Sequence, residues 1–120
     1  MGKELEQIEP TEVQINLGGK KRQIKCTLYT WKKLQNLYGT ITNISTQLEK
    51  DMQEKPLDIL PKMIIWCINP KEVEEDELTE EQILLEYESI EDLRKLIEIV
   101  MFALKNSMPK NDKKKVIAKK

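Results

Sequence analysis

The chain has 120 residues, of which 39% are hydrophobic and 34% charged, with a net charge of −1. That length fits one domain with a modest core. No run of about 18 apolar residues occurs, so no membrane-spanning helix is expected. Met1-Gly2-Lys3-Glu4-Leu5-Glu6 lacks the pattern of a signal peptide, so the expected compartment is the cytoplasm. There is no histidine, which removes the commonest general base and the commonest metal ligand. Cys26 and Cys67 sit on apolar stretches and are read as reduced, buried thiols; a disulfide is open in principle.

Residues 1–12 are polar, with Pro10 near their end, and read as a flexible N-terminus. Val13-Gln14-Ile15-Asn16-Leu17 alternates apolar and polar, as a half-buried strand does, and Ile24-Lys25-Cys26-Thr27-Leu28 alternates again. Gly18-Gly19 between them supplies the positive φ of a tight turn, so residues 13–28 read as a β-hairpin. Its inner face would be Val13, Ile15, Leu17, Ile24, Cys26 and Leu28. A lone hairpin is marginal in water, so that face must pack on helices.

Residues 30–108 read as helical. Thr30 is the expected N-cap of a helix over 31–38 with a stripe of Trp31, Leu34, Leu37 and Tyr38, stopped by Gly39. A second helix is expected over 43–53, with Ile44, Leu48 and Met52 at helical spacing. Residues 58–69, Asp-Ile-Leu-Pro-Lys-Met-Ile-Ile-Trp-Cys-Ile-Asn, are apolar on nearly every side in their last two turns, the mark of a central buried helix. Asp58 as N-cap would put Pro61 in the first turn, where its missing N–H does no harm, and Asn69-Pro70 would stop the helix. An acidic loop is expected over 71–77. Thr79 with Gln82 forms a capping box for a short helix to about Tyr87. Ser89 is the expected cap of a last helix carrying Leu93, Leu96, Ile97, Val100, Met101 and Leu104, the natural partner of the central one. Residues 109–120 read as a flexible basic tail. The expected fold is thus α+β but mainly α: an N-terminal antiparallel β-hairpin followed by a bundle of about five helices, in a single globular domain over 13–108.

Little in the chain points to catalysis. Two separated cysteines without histidine make no zinc site. The carboxylates of 72–92 lie in polar surroundings that would leave their acidity ordinary. Gly18-Gly19-Lys20-Lys21 lacks the first glycine and the hydroxyl residue of a phosphate loop, and a strand follows it. The expectation is a non-enzymatic protein without cofactor or bound metal. The lysine tail could contact nucleic-acid phosphates, but no aromatic residue is interleaved with its lysines. It reads as a solubilising segment.

The order of these stretches resembles the tail assembly chaperones of long-tailed bacteriophages and prophages. The resemblance is carried by Ile15-Asn16-Leu17-Gly18-Gly19-Lys20 with Ile24-Lys25-Cys26-Thr27-Leu28, by Trp31-Lys32-Lys33-Leu34-Gln35-Asn36-Leu37-Tyr38-Gly39, and by the apolar helix ending Ile65-Trp66-Cys67-Ile68. The acidic helix start Leu78-Thr79-Glu80-Glu81-Gln82-Ile83 and the last amphipathic helix complete it. Such chaperones bind the tape-measure protein, keep it soluble, and help recruit tail-tube subunits in the cytoplasm of the bacterial host. The resemblance therefore implies a tape-measure protein and a tail-tube protein as partners; the oligomeric state is open, since exposed apolar faces could pair with another copy when the client is absent. Many of these genes also yield a longer product by ribosomal frameshifting, for which Lys113-Lys114-Lys115 is the candidate region. Candidate partner contacts are Leu48 and Met52, on the weaker second helix, with Met101 and Met108, since methionine suits adaptable surfaces. The competing reading is a small helical regulator that binds nucleic acid through its lysine-rich C-terminal tail.

Overall fold

The computed structural model describes residues 13–108; the readings of 1–12 and 109–120, including Lys113, Lys114 and Lys115, lie outside the described residues. The architecture is mainly α with one antiparallel hairpin. Among the described residues, strands β1 (Gln14–Leu17) and β2 (Lys20–Gln23) precede six helices: α1 (Leu28–Tyr38), α2 (Ile41–Glu54), α3 (Pro56–Cys67), α4 (Pro70–Glu75), α5 (Glu80–Glu86) and α6 (Ile90–Asn106). α3 is the centre of the bundle, packed against α1, α2, α5 and α6, while α5 also touches β1. Its Ile59, Leu60, Met63, Ile64 and Cys67 are all buried, as the apolar circumference of this stretch requires.

Gly18 and Gly19 both take positive φ, 65° and 81°, giving the two-residue turn whose twist matches the strands. The pairing Ile15↔Arg22 and Leu17↔Lys20 follows, with Ile24 N–H donating to Val13 O just beyond the ladder at 2.8 Å. β2 is therefore set earlier in the chain than the alternation of 24–28 implies. Ile24 and Cys26 do point inward, but Leu28 is 85% exposed, because it has already entered the first turn of α1. The inward place on β2 belongs instead to Arg22.

Thr30 is not the cap of α1. That cap is Thr27, whose N–H donates to Thr30 Oγ1 at 3.1 Å. The Thr30 side chain is buried, and its hydroxyl donates to Trp66 O at 2.9 Å. Lys25 N–H donates to Cys67 O at 2.9 Å. Two carbonyls at the C-terminal end of α3, where intrahelical donors run out, are thus satisfied by the segment leaving the hairpin. Gly39 does end α1, its N–H reaching back to Gln35 O with φ at 100°.

α3 starts earlier than expected. Pro56 occupies the first turn, Asp58 lies in that turn rather than at the cap, and Pro61 is inside the helix. Burial of Pro61 among the core side chains offsets the backbone bond that its ring cannot donate. Asn69-Pro70 stops α3 and also starts α4: the Asn69 carboxamide accepts from Lys71 N–H at 2.8 Å, and Pro70 fills the first helical position. The expected acidic loop is mostly this short helix, which makes six helices rather than about five. Glu77 then adopts a left-handed φ of 49°, allowing Leu78 N–H to reach Val73 O at 3.0 Å and Leu78 to turn inward. The caps at Thr79, with Gln82, and at Ser89, which accepts from Asp92 N–H, are formed as read.

Among the described residues, no helix is long and apolar enough to cross a membrane.

Candidate functional site

Short apolar helices that cannot bury every aliphatic side chain leave some of them on the surface, and α5 is such a helix. Its 7 residues contain Ile83-Leu84-Leu85 in succession. On a helix, three consecutive side chains span too wide an arc to face one neighbour. Ile83 is buried against the core, while Leu84 is 46% exposed. The start of α6 and the first turn of α3 meet it there. Ile90, directly after its cap Ser89, is 70% exposed, and Leu57 is 55% exposed. These three side chains rim a groove of about 210 Å³ floored by Leu60, Ile83 and Leu96, with Leu93 and Tyr87 on its walls. Glu88 is the one charged residue that lines it.

The wall formed by α5 is tied to the hairpin turn. Tyr87 donates its hydroxyl hydrogen to Asn16 O, and Gly18 N–H donates to Glu86 Oε1 at 3.3 Å. Burial pushes the Tyr87 hydroxyl above its ordinary pKa, so it stays a donor across the physiological range. These bonds fix the α5 wall of the groove against the hairpin turn, while its aliphatic rim is left in water.

A larger crevice, of about 350 Å³, lies between Gln23, Lys25 and Thr27 on one side and Cys67, Ile68 and Asn69 on the other. Beside it Cys26 Sγ and Cys67 Sγ are 3.4 Å apart, both buried thiols. The contact with Cys26, together with burial, holds the Cys67 thiol well above its usual pKa, which keeps it protonated and unreactive at neutral pH. Among the described residues, no group of three or more His, Cys, Asp or Glu is placed to hold a metal ion.

The ionic contacts cluster at the turn. Arg22, buried at 1% exposure, donates from Nε to Leu17 O at 2.9 Å and from Nη1 to Asp76 Oδ2 at 2.5 Å and Glu72 Oε1 at 3.2 Å. Asp76 also takes Lys20 Nζ at 3.3 Å. The hydrogen bond from Arg22 and then that from Lys20 hold the Asp76 carboxyl below the ordinary aspartate range. This arrangement anchors α4 to the hairpin.

The residues singled out from sequence as partner contacts fall elsewhere. Leu48 and Met52 are buried in the core on α2 and offer no surface. Met101 is half-buried on α6 and packs against the core, and Met108 is half-buried just past the end of that helix. None of the four lines the groove. The rim residues Leu57, Leu84 and Ile90 were missed. The signal for Leu84 was present: three consecutive aliphatics between two capped helix ends.

No protein-family model, curated protein or solved structure matches this chain significantly.

Proposed function

We propose that this chain is a non-catalytic assembly chaperone of the phage-tail type, which binds a tape-measure protein in the cytoplasm of a bacterial host and helps recruit tail-tube subunits. The observation that carries the reading is the groove, where three exposed aliphatic side chains, Leu57, Leu84 and Ile90, rim one concave apolar surface. A rim of that kind fits helix-in-groove recognition, in which a client helix inserts apolar side chains at helical spacing. Each aliphatic anchor buried would contribute on the order of 1.5–3 kcal/mol before ordering costs. A tape-measure protein is a long helical chain with exposed apolar stripes, and shielding such a stripe is what keeps it from aggregating. The resemblance in the order of the hairpin, the Trp31 helix and the Trp66 helix supplies the identity of the client.

The test is co-expression with a tape-measure protein from the genome that encodes this chain, if it holds one. The chaperone reading expects the client to become soluble and to co-purify with the chain. Failure of both with a full-length, soluble client sinks it. An immunoblot with antibody against residues 1–11 tests the frameshift separately, by a faint longer band sharing the N-terminus. The regulator reading rests on the lysines of 110–120, outside the described residues. It expects salt-dependent DNA binding that disappears when those residues are deleted.

A further inference from the structure

The groove has a charge as well as a shape. Residues 80–92, which form α5, the linker and the start of α6, contain six carboxylates and no lysine or arginine. Two of them are engaged: Glu80 with Lys62 Nζ at 3.4 Å, and Glu86 with Gly18 N–H. Glu88 lines the groove itself. The cations next to its lining residues in sequence line no part of it, exposed Lys55 before Leu57 among them. Lys62 is held by Glu80, while Arg94 and Lys95 are exposed and line no part of the groove, although Leu93 and Leu96 beside them do. An apolar slot edged by acid selects an apolar stripe edged by base, because a like charge brought to the rim would be repelled and desolvated at once.

We infer that the groove rimmed by Leu57, Leu84 and Ile90 takes an amphipathic helix whose apolar stripe is flanked by lysine or arginine. The assignment rests on the reading of the groove as a client site and specifies which part of a client it holds. The aliphatic residues provide the contact, and the carboxylates set its selectivity and its encounter rate. Segments of a long helical client that carry acidic flanks would pass this site by, so the chaperone would sit at intervals along the client rather than coat it evenly.

The experiment uses the full chain and two peptides of about 20 residues, long enough to be helical. Both carry leucines at i, i+4, i+7 and i+11; one has lysines flanking that stripe and the other glutamates. Binding is read by fluorescence anisotropy. The lysine peptide is expected to bind at least about tenfold more tightly than the glutamate peptide, with the gap closing as salt rises from about 50 to about 300 mM. Ile90→Ser and Leu84→Gln, which change no charge, should each weaken the lysine peptide several-fold while circular dichroism and Tm stay unchanged. Phe102→Gln, at another exposed apolar position, should leave binding as it was. Glu88→Lys should reduce the discrimination between the peptides. Equal affinity for the two peptides, no binding of either, or indifference to the rim substitutions overturns the assignment. So does a concentration-dependent dimer by light scattering that Ile90→Ser abolishes, since a second copy would then be the occupant. If the peptide preference holds but the tape-measure protein is not retained, the chaperone reading falls and the groove assignment stands. If the tape-measure protein is retained undiminished by the Ile90→Ser, Leu84→Gln double variant, the groove assignment falls alone.

Discussion

The two ends of the central helix α3 are treated in opposite ways. At its C-terminal end, Ile64, Cys67 and Ile68 are buried, and the carbonyls of Trp66 and Cys67 are met by Thr30 and by Lys25 N–H. Arg22 then draws α4 onto the hairpin and closes that end of the molecule. At its N-terminal end, Leu57 projects into water beside Leu84 and Ile90. The two ends differ little in side-chain chemistry, since both are aliphatic. They differ in what arrives to cover them: a hairpin with a buried arginine at one end, and a 7-residue helix too short to cover its neighbours at the other.

The difference makes a sharp prediction within one helix. Ile64→Ala removes wholly buried methylenes and is expected to cost about 3 kcal/mol of stability in urea denaturation. Leu57→Ala, at a 55% exposed position, is expected to stay within about 0.5 kcal/mol. A large loss at Leu57 would show that the open end is packed in solution. Arg22→Ala ranks next, at about 2–3 kcal/mol. It empties a buried site, but its carboxylate partners are partly exposed and regain water, so the loss falls below that of a fully buried pair. Arg22→Met, which keeps the volume, should restore most of that loss; equal damage from both would mean the ion pairs and not the packing hold the closed end.

A weaker effect concerns acid. The Asp76 carboxyl has a lower pKa folded than unfolded, so below the ordinary aspartate value the unfolded chain binds the extra proton first. Its contribution is complete above that value and is lost as pH falls below about 4. Asp76→Asn should flatten that acid limb of the stability curve while leaving the neutral region only modestly lower. One further substitution is expected to bring a gain. Glu77 holds a left-handed φ of 49°, so Glu77→Gly should stabilise the chain by about 1 kcal/mol, measured as a higher denaturation midpoint.

What the sequence made legible is the local chemistry. Gly18-Gly19 for the turn, Gly39 for a helix end, Thr79 with Gln82, and Ser89 for caps all act on groups within a few residues, and all are formed. The apolar periodicity of 58–68 likewise marks a helix that must be surrounded. The errors fall where a residue serves a distant partner. Thr30 has the chemistry of a cap, yet its hydroxyl reaches Trp66 O, 36 positions away. Arg22 shares the parity of Ile24 and Cys26 and so lay on the inner face by its spacing, but only α4, itself read as a loop, supplies the carboxylates that let a cation stay there. Leu48 and Met52 are covered although α2 is weakly signalled; a weak helix signal measures propensity and says nothing about cover.

The hydrogen bonds from Lys25 and Thr30 to the end of α3 have a consequence for how the chain is made. The hairpin leaves the ribosome before its partners: Cys67 O and Trp66 O lie some forty positions later than the groups they accept from, Asn16 O waits for the Tyr87 hydroxyl, and Gly18 N–H waits for Glu86. A two-stranded ribbon is barely stable alone. Vectorial synthesis therefore leaves the hairpin unsettled until α5 has emerged, so a stalled or truncated product ending before α5 would present a partly uncovered apolar sheet face to the cell's quality-control machinery.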